Sequence, residues 1–576
     1  MTVPTATLAA TVTSCLDDGG PGTLRSIIAV AAEAETVDFA GLDCTAVSST
    51  ITLSGSSILI AQYFLTIEGP GAPPYQLSID ASALPRGFSD SRVFTHGGTG
   101  TLTLTNLILK GGYVSQVGPP SFGGCLSSAG NVSMNAVTVT QCQISHTGGS
   151  TPTGGAVFVS GDLAMQNSIV SYSSATGNAK SAGGGVYVSG DLSVHGLGSI
   201  NNNSAKANTG TSLGGGAYVK GNLILDSGGV FSNSADSIDG SAKGGGAYVI
   251  GNLNASNGTF VALNSATSNT QAAKGGGVYT KGDLTLQASV VTSNTVNGGS
   301  LSLGGGAFVI GDDSTSYTTV KYNKAYGSAI GGGLYLKGAT NTIASSTISN
   351  NTSYIAAGVA VLGGGTSAAF ELKNSTISSN HASALGGGLL AYAANVNLFN
   401  STIAFNTAGE FGGVSPGVEL RSPADEMAAN LQSTLISNNS VGTYQLDLHV
   451  YPNSSFVTFN GGALATPANN FIRATKLTNL PTDTKQGFCP HLGPLRDNGG
   501  LTYTHALMSR SVAIDAGNDS SLLALHDQRG SAAVNGTVSY SRLSGTGGIA
   551  DIGAHEVQQN DIVFNTDFED CPPLAF

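Results

Sequence analysis

The sequence predicts an all-β fold: a single parallel β-helix of about 14–16 coils, about 30 residues per coil through its middle, with an N-terminal helical cap. The first observation behind this is a recurring phrase. It reads GGAVFVSGDL from Gly154, GGGVYVSGDL from Gly183, GGGAYVKGNL from Gly214 and GGGAYVIGNL from Gly244. It continues as GGGVYTKGDL from Gly275, GGGAFVIGDD from Gly304 and GGGLYLKGAT from Gly331, then weakens to GGGLLAYAAN from Gly386. Its aromatic residue falls at Phe158, Tyr187, Tyr218, Tyr248, Tyr279, Phe308 and Tyr335, at intervals of 29, 31, 30, 31, 29 and 27 residues. The second observation is an asparagine that keeps step, at Asn203, Asn233, Asn264, Asn294, Asn323, Asn351, Asn380, Asn406 and Asn439, with Cys142 and Ser173 in the same slot of the two preceding copies. The third is local pattern: the segments in each unit are short, rich in Val, Ile, Thr and Tyr, and alternate with period two, as strands do. Such a unit cannot bury its apolar face alone, whereas coils stacked at the strand spacing of about 4.8 Å share a core and pair their backbones.

Along the chain this gives a cap over 1–50, the β-helix over 51–505, a closing module over 506–560 and a tail over 561–576. In the cap, CLDDGGPGTLRSIIAVAAEAE carries the one helical pattern, with Leu24, Ile27, Ile28, Ala31 and Ala32 on one face. A helix there would cover the open edge of the first coil. In the body, each unit has chain for three short strands and one polar surface loop, such as SATSNTQAAK after Asn264. The first basic residue is Arg25, so the N-terminus has no secretory leader pattern, and the numbering reads as starting at a mature end. Six cysteines, Cys15 with Cys44, Cys125 with Cys142, and Cys489 and Cys571 left over, lack metal-site spacing and read as disulfides of an oxidising compartment.

Equivalent residues of stacked coils form columns. The Asn column reads as a structural ladder of amides capping backbone at a bend. The Gly-Asp/Asn pairs at 161/162, 190/191, 221/222, 251/252, 282/283 and 311/312 read as turns, with a structural calcium as the alternative use of their acids. Around the aromatic column, Val, Ala and Leu flank each ring, so the aliphatics face the core and the rings share the outer face with Ser160, Ser189, Lys220, Lys281 and Lys337. That predicts an exposed stripe of seven rings, either a stiffening stack or a platform for an extended glycan.

Composition narrows the function. With 82 Gly, no Trp, only 10% charged residues and a net charge of −12, the chain offers no basic surface for nucleic acid. Its 40% apolar content argues against disorder, and no apolar run approaches the 18 to 20 residues of a membrane helix.

The run from Cys15 through GTLRSII to Cys44, followed by ITLSGSSILI and LTIEGPG, resembles the opening of secreted bacterial right-handed β-helix proteins. The GGG[AV][YF] and Asn phrases resemble repeats of chlamydial polymorphic outer membrane proteins. LGPLRDNGGLTYTHAL at 492–507, VAIDAGN at 512–518, DQRG at 527–530 and DIGAHE at 551–556 resemble the closing module of the choice-of-anchor Q β-helix family. The resemblance implies a right-handed β-helix, export, and residence at the cell surface or outside it; it implies no catalytic assignment.

Candidates for chemistry are few. Asp312 and Asp313, where a turn doubles its acid, Glu371 with Lys373, Glu410, and Glu419 with Arg421 occupy outward strand positions. Gln445, Asp447, His449 and Tyr451 share one face of the strand QLDLHVY, the best local collection of polar groups. In the closing module, Asp515, Asp519, Asp527, Asp551, Glu556 and Arg529 read as a salt-bridged end cap or a calcium site, and His505, His526 and His555 have no metal spacing. The resulting expectation is an exported, non-catalytic protein, without an obligatory cofactor, that presents a ladder-lined surface for adhesion or glycan contact. The alternative is a polysaccharide lyase or glycoside hydrolase on the same scaffold.

Overall fold

In the middle of the chain each coil begins where three glycines turn it. Gly183, Gly214 and Gly244 hold φ of +66°, +61° and +64°, and a Cβ on the following Gly184 would lie 2.2 Å from the carbonyl of Gly215 in the next coil. Only glycine meets both demands. From Gly183 the chain runs through strands Val186–Val188, Leu192–His195 and Ser199–Asn201, turns at Asn202 (φ 53°), and continues through Ser204–Ala207 and Ser212–Leu213 to Gly214. The computed structural model describes residues 10–558, apart from 41, 43–48, 72–75, 87–90, 117–120, 364–367, 410–414, 423–426, 453–456, 460–467, 519–525, 533–537 and 543–549. Glu410, Cys44, Asp519, Cys571 and the tail lie outside the described residues.

The fold is all-β, a parallel β-solenoid of about 14 turns, with one short helix among the described residues. It divides into two compact units, Met1–Tyr279 with Asn297–Ser300 and Thr280–Val296 with Leu301–Phe576.

In the first unit, coils pair in strict register, Val186 on Ala217 on Ala247 and Leu192 on Leu223 on Leu253, and these inward columns form the core. The stretch after each Asn, expected as a surface loop, is strand: Ser204–Ala207, Ser234–Ser237 and Ser265–Ser268 pair in parallel, followed by Ala242–Lys243 on Ala273–Lys274. Alternation puts Ala205, Ala235 and Ala266 inside, fully buried. Their small apolar area hides the period-two signal among serines. The helix is Leu24–Val30, capped by the Thr23 side chain, with Leu24 and Ile28 buried. Gln62 donates to the carbonyls of Ile28 and Ala31, groups that a helix end leaves unpaired. Cys125–Cys142 is a disulfide with Cα atoms 5.5 Å apart, as its spacing suggested. Cys15 and Cys489 are also disulfide-bonded.

The Asn column is a directional ladder. The backbone N–H and Nδ2 of Asn203 both donate to Oδ1 of Asn233, at 3.0 and 3.1 Å, while Nδ2 also reaches the carbonyl of Val170. Asn233 repeats this toward Asn264. Upstream, Ser173 takes the same place, its Oγ accepting from the Cys142 N–H. In the second unit the pattern runs Asn294, Asn323, Asn351, Asn380, Asn406, Asn439, each donating to the next.

The second unit also carries the closing module. It lies along the side of the coils, on the outer face of the strands Thr347–Ser349, Thr376–Ser378, Thr402–Ala404 and Leu435–Ser437. Gln528 is the central clasp: its Nε2 donates to Thr347 Oγ1, Thr502 Oγ1 and the Tyr503 carbonyl, and its Oε1 accepts from Thr376. Ser378 bonds His505 Nε2 at 2.8 Å, and Leu492, Leu507, Ala513 and Ile552 pack on Leu435 and Phe471. The expected end cap is therefore largely a side clasp. The outward Thr and Ser of the Thr-Ile-Ser strands are its buried docking surface.

Candidate functional site

The strands that follow the glycine turns put their aliphatic residues in the core and their rings on the opposite face, as the alternation predicts: Val157 and Val159 are fully buried around Phe158. The rings stack in register, Phe158 to Tyr187 at 5.3 Å between centroids, Tyr187 to Tyr218 at 4.8 Å, Tyr218 to Tyr248 at 5.2 Å and Tyr248 to Tyr279 at 4.9 Å. In the second unit Phe308 and Tyr335 stack at 4.9 Å. The expected exposed stripe is corrected. Tyr218, Tyr248, Tyr279, Phe308 and Tyr335 keep only 3–9% of their surface, and only Phe158 and Tyr187 are half-buried. Stacked neighbours cover the ring faces, and the ammonium groups of Lys220 and Lys243 lie over Tyr187 and Tyr279 at 5.5 and 5.9 Å. Burial, then the neighbouring Tyr248, pushes the Tyr279 hydroxyl up to about 12. This is the geometry of a stiffening stack, and it leaves little ring area for a ligand.

Past Tyr335 the same column changes character. Its register runs Tyr335, Ala360, Leu390, Glu419, His449, and beside it Leu362, Tyr392, Arg421, Tyr451. The rings give way to a polar cluster. Glu419 is fully buried, and both its oxygens are used: Oε1 accepts from Arg421 Nε at 3.0 Å, while Oε2 accepts from the Ser415 N–H at 2.9 Å and His449 Nδ1 at 3.0 Å. Arg421 lies over the Tyr451 ring, 4.7 Å from its centroid. Tyr392 and Tyr451 are 39% and 51% exposed. No hydrogen-bond partner for the terminal Arg421 nitrogens or for His449 Nε2 occurs among the described residues.

The structure therefore unites two of the sequence's candidate groups, Glu419 with Arg421 and His449 with Tyr451. Tyr392 was missed. Counting onward from Tyr335 at coil intervals would have placed Leu390, Glu419 and His449 in the aromatic slot, with Tyr392, Arg421 and Tyr451 two residues on.

Asp447 does not join them. The single strand expected over QLDLHVY is broken: Tyr444–Gln445 turns back antiparallel on Ser440–Val441, and Leu448–Tyr451 belongs to another sheet. Asp447 instead ends the Asn ladder. Its Oδ1 accepts both the N–H and Nδ2 of Asn439, at 3.0 and 2.8 Å, and its Oδ2 accepts the Ala474 N–H at 2.7 Å. Burial pushes its carboxyl up to about 7, against the downward pull of those donors and of Arg473. Gln445 accepts from Arg473 Nη1 at 2.6 Å.

The doubled acid also separates. Asp312 stays at the exposed turn, its Oδ1 accepting the Thr340 N–H at 2.9 Å, as Asp162 does for Asp191 and Asp191 for Asn222. Asp313, expected outward, points into the core, in register with Leu284 and Asn341. It fills the Leu slot of the GDL phrase. Thr315 donates to its Oδ1 at 3.0 Å, and its buried Oδ2 and Asn341 Oδ1 have no partner. Burial pushes its carboxyl up to about 8. Glu371 pairs with Lys373 at 3.0 Å.

In the closing module, Arg529 and Asp527 form a fully buried pair at 2.7 Å, and the guanidinium lies 3.9 Å from the centre of the Tyr540 ring. Arg542 donates to Asn374 Oδ1, Asn400 and Gly553 and lies 3.7 Å from Glu556. Asp551 Oδ1 accepts the Asp515 N–H at 2.7 Å. These groups tie the module to itself and to the coils. No group of three metal-ligating side chains occurs among the described residues, and none of their helices is long and apolar enough to cross a membrane. No family model, curated protein or solved structure matches the chain.

Proposed function

We propose that this chain is an exported bacterial β-helix protein whose lateral surface contacts a glycan without turning it over. One observation carries the reading: the exposed patch of Arg421, Tyr392 and Tyr451, in which two rings and a guanidinium held over one of them offer flat apolar area beside free N–H donors. The resemblance of the chain's ends and repeats to secreted right-handed β-helix and choice-of-anchor Q proteins supports export, and its disulfides suit an oxidising compartment. The proposal requires no cofactor, nucleic acid or membrane span.

Glycosidase chemistry is the poorer fit, because Glu419 has no oxygen free to act as acid or nucleophile and a hydrolase needs two such carboxyls. The test is binding of the purified chain to a panel of immobilised polysaccharides, with reducing ends and 232 nm absorbance followed in parallel. Retention of one glycan class, lost in Tyr392→Ala/Tyr451→Ala and kept in Tyr248→Phe, is expected. Product formation would replace this reading with an enzymatic one.

A further inference from the structure

The polar cluster has a chemical handedness that narrows its ligand; this step rests on the glycan-contact reading. Glu419 is buried and accepts at both oxygens, so it fixes what its neighbours can offer outward. His449 presents Nδ1 to a carboxylate oxygen at 3.0 Å, which places the proton of the neutral ring on Nδ1 and leaves Nε2 an acceptor. Arg421 gives Nε to the same carboxylate, and its two terminal nitrogens remain as parallel donors. The bond to Glu419 and the Tyr451 ring beneath restrain the guanidinium, so less side-chain entropy is lost on binding. The Glu419 charge is already shared between Arg421 and His449. A planar anion reaching the Arg421 edge therefore meets donors, with a hydroxyl acceptor one coil away at His449, since Glu419 and His449 are register partners, as are Arg421 and Tyr451.

We infer that the patch recognises an acidic sugar: the carboxylate of a uronic acid on the Arg421 fork, a ring hydroxyl donating to His449 Nε2, and the sugar's apolar face against Tyr392 or Tyr451. A planar carboxylate fits the two-donor edge, and a neutral hexose has nothing to place there.

The test uses the full chain and two probes, an oligogalacturonate and its carboxyl-reduced neutral counterpart, titrated calorimetrically at low and moderate salt. The acidic probe should bind about tenfold tighter or more, with the preference shrinking as salt rises. Arg421→Gln should erase the preference. Arg421→Lys, which keeps the charge and loses the fork, should retain only part of it, and it serves if the glutamine variant does not fold. His449→Phe should weaken both probes alike. Equal affinity for the two probes, or a preference that survives in Arg421→Gln, overturns the acidic-sugar assignment and leaves glycan contact standing. Failure to bind any glycan of the wider panel overturns both.

Discussion

The two units solve one problem with opposite materials. In the middle coils of the first, the buried groups that bind coil to coil are neutral: amides of Asn203 and Asn233, stacked Tyr218 and Tyr248, and glycines where coils approach. In the second, the same kind of ladder recurs, but the side clasp adds a cluster of buried ionisable groups, Asp527, Arg529, Arg542, Asp551 and Glu556. A periodic stack can use neutral rungs because every partner recurs. A single docking event has no repeat to lean on, and specific charges fix its one register. The cost is vulnerability: removing a neutral rung leaves a local defect, whereas removing one ion strands its partners.

The sharpest way to break the contrast is Arg529→Ala, which leaves Asp527 buried without its cation. It should cost about 3–5 kcal/mol in chemical denaturation. The loss should appear as release of the clasp, read by proteolysis within 491–557, while the first unit stays protected. Next is a rung. Asn323→Ala removes the oxygen that accepts from both the N–H and Nδ2 of Asn294, and losing that shared acceptor should cost about 1–3 kcal/mol in the same assay.

A third prediction uses pH. Asp313 is held near 8 in the fold against an ordinary value of 3.8, so between those limits the unfolded chain has released a proton that the folded chain keeps. Stability from this group is full below pH 3.8 and falls as pH rises toward 8, by at most ~1.4 kcal/mol per pH unit. His505, lowered to about 4 by burial, acts in the other direction: its neutral form is favoured, so its contribution is lost as pH falls from 6.5 toward 4. Comparing wild type with Asp313→Asn across pH 5–8 isolates the first. The variant's stability should be less dependent on pH, and an unchanged slope would show that Asp313 is not a neutral acid in the fold. The smallest effect is expected from Tyr248→Phe, which keeps the stacked ring and should change stability by no more than about 0.5 kcal/mol.

What could be read from the sequence was whatever recurs. The coil period, the Asn ladder, the glycine turns and the Cys125–Cys142 bridge each repeat or sit beside a repeat, and each stands where its spacing placed it. What could not be read depended on a partner far along the chain. The Thr of Thr-Ile-Ser looks solvent-facing until Gln528 comes back to meet Thr347 and Thr376, 181 and 152 residues away. The outward side of Tyr218 was legible, but its burial was not, because that comes from rings in neighbouring coils. The candidate site was visible as two separate groups, Glu419 with Arg421 and His449 with Tyr451, but not as one, because their meeting depends on the coil register, and Tyr392 was not visible at all. Its separation from Asp447 hangs on the reversal at Ser440–Gln445, which no period announces.

The Asn ladder has a head and a tail, and this bears on how such an array stops growing. Within each unit the rungs donate forward and accept from behind, so a coil ending in Asn would present a free amide donor and invite one more coil, from this chain or from another molecule. Asp447 has no side-chain donor to pass on while ionised. It receives from Asn439 and turns its second oxygen to the Ala474 backbone N–H, which ends the sequence of amides within the protein itself. A single change of amide to carboxylate thus sets the length of the column and denies it a successor.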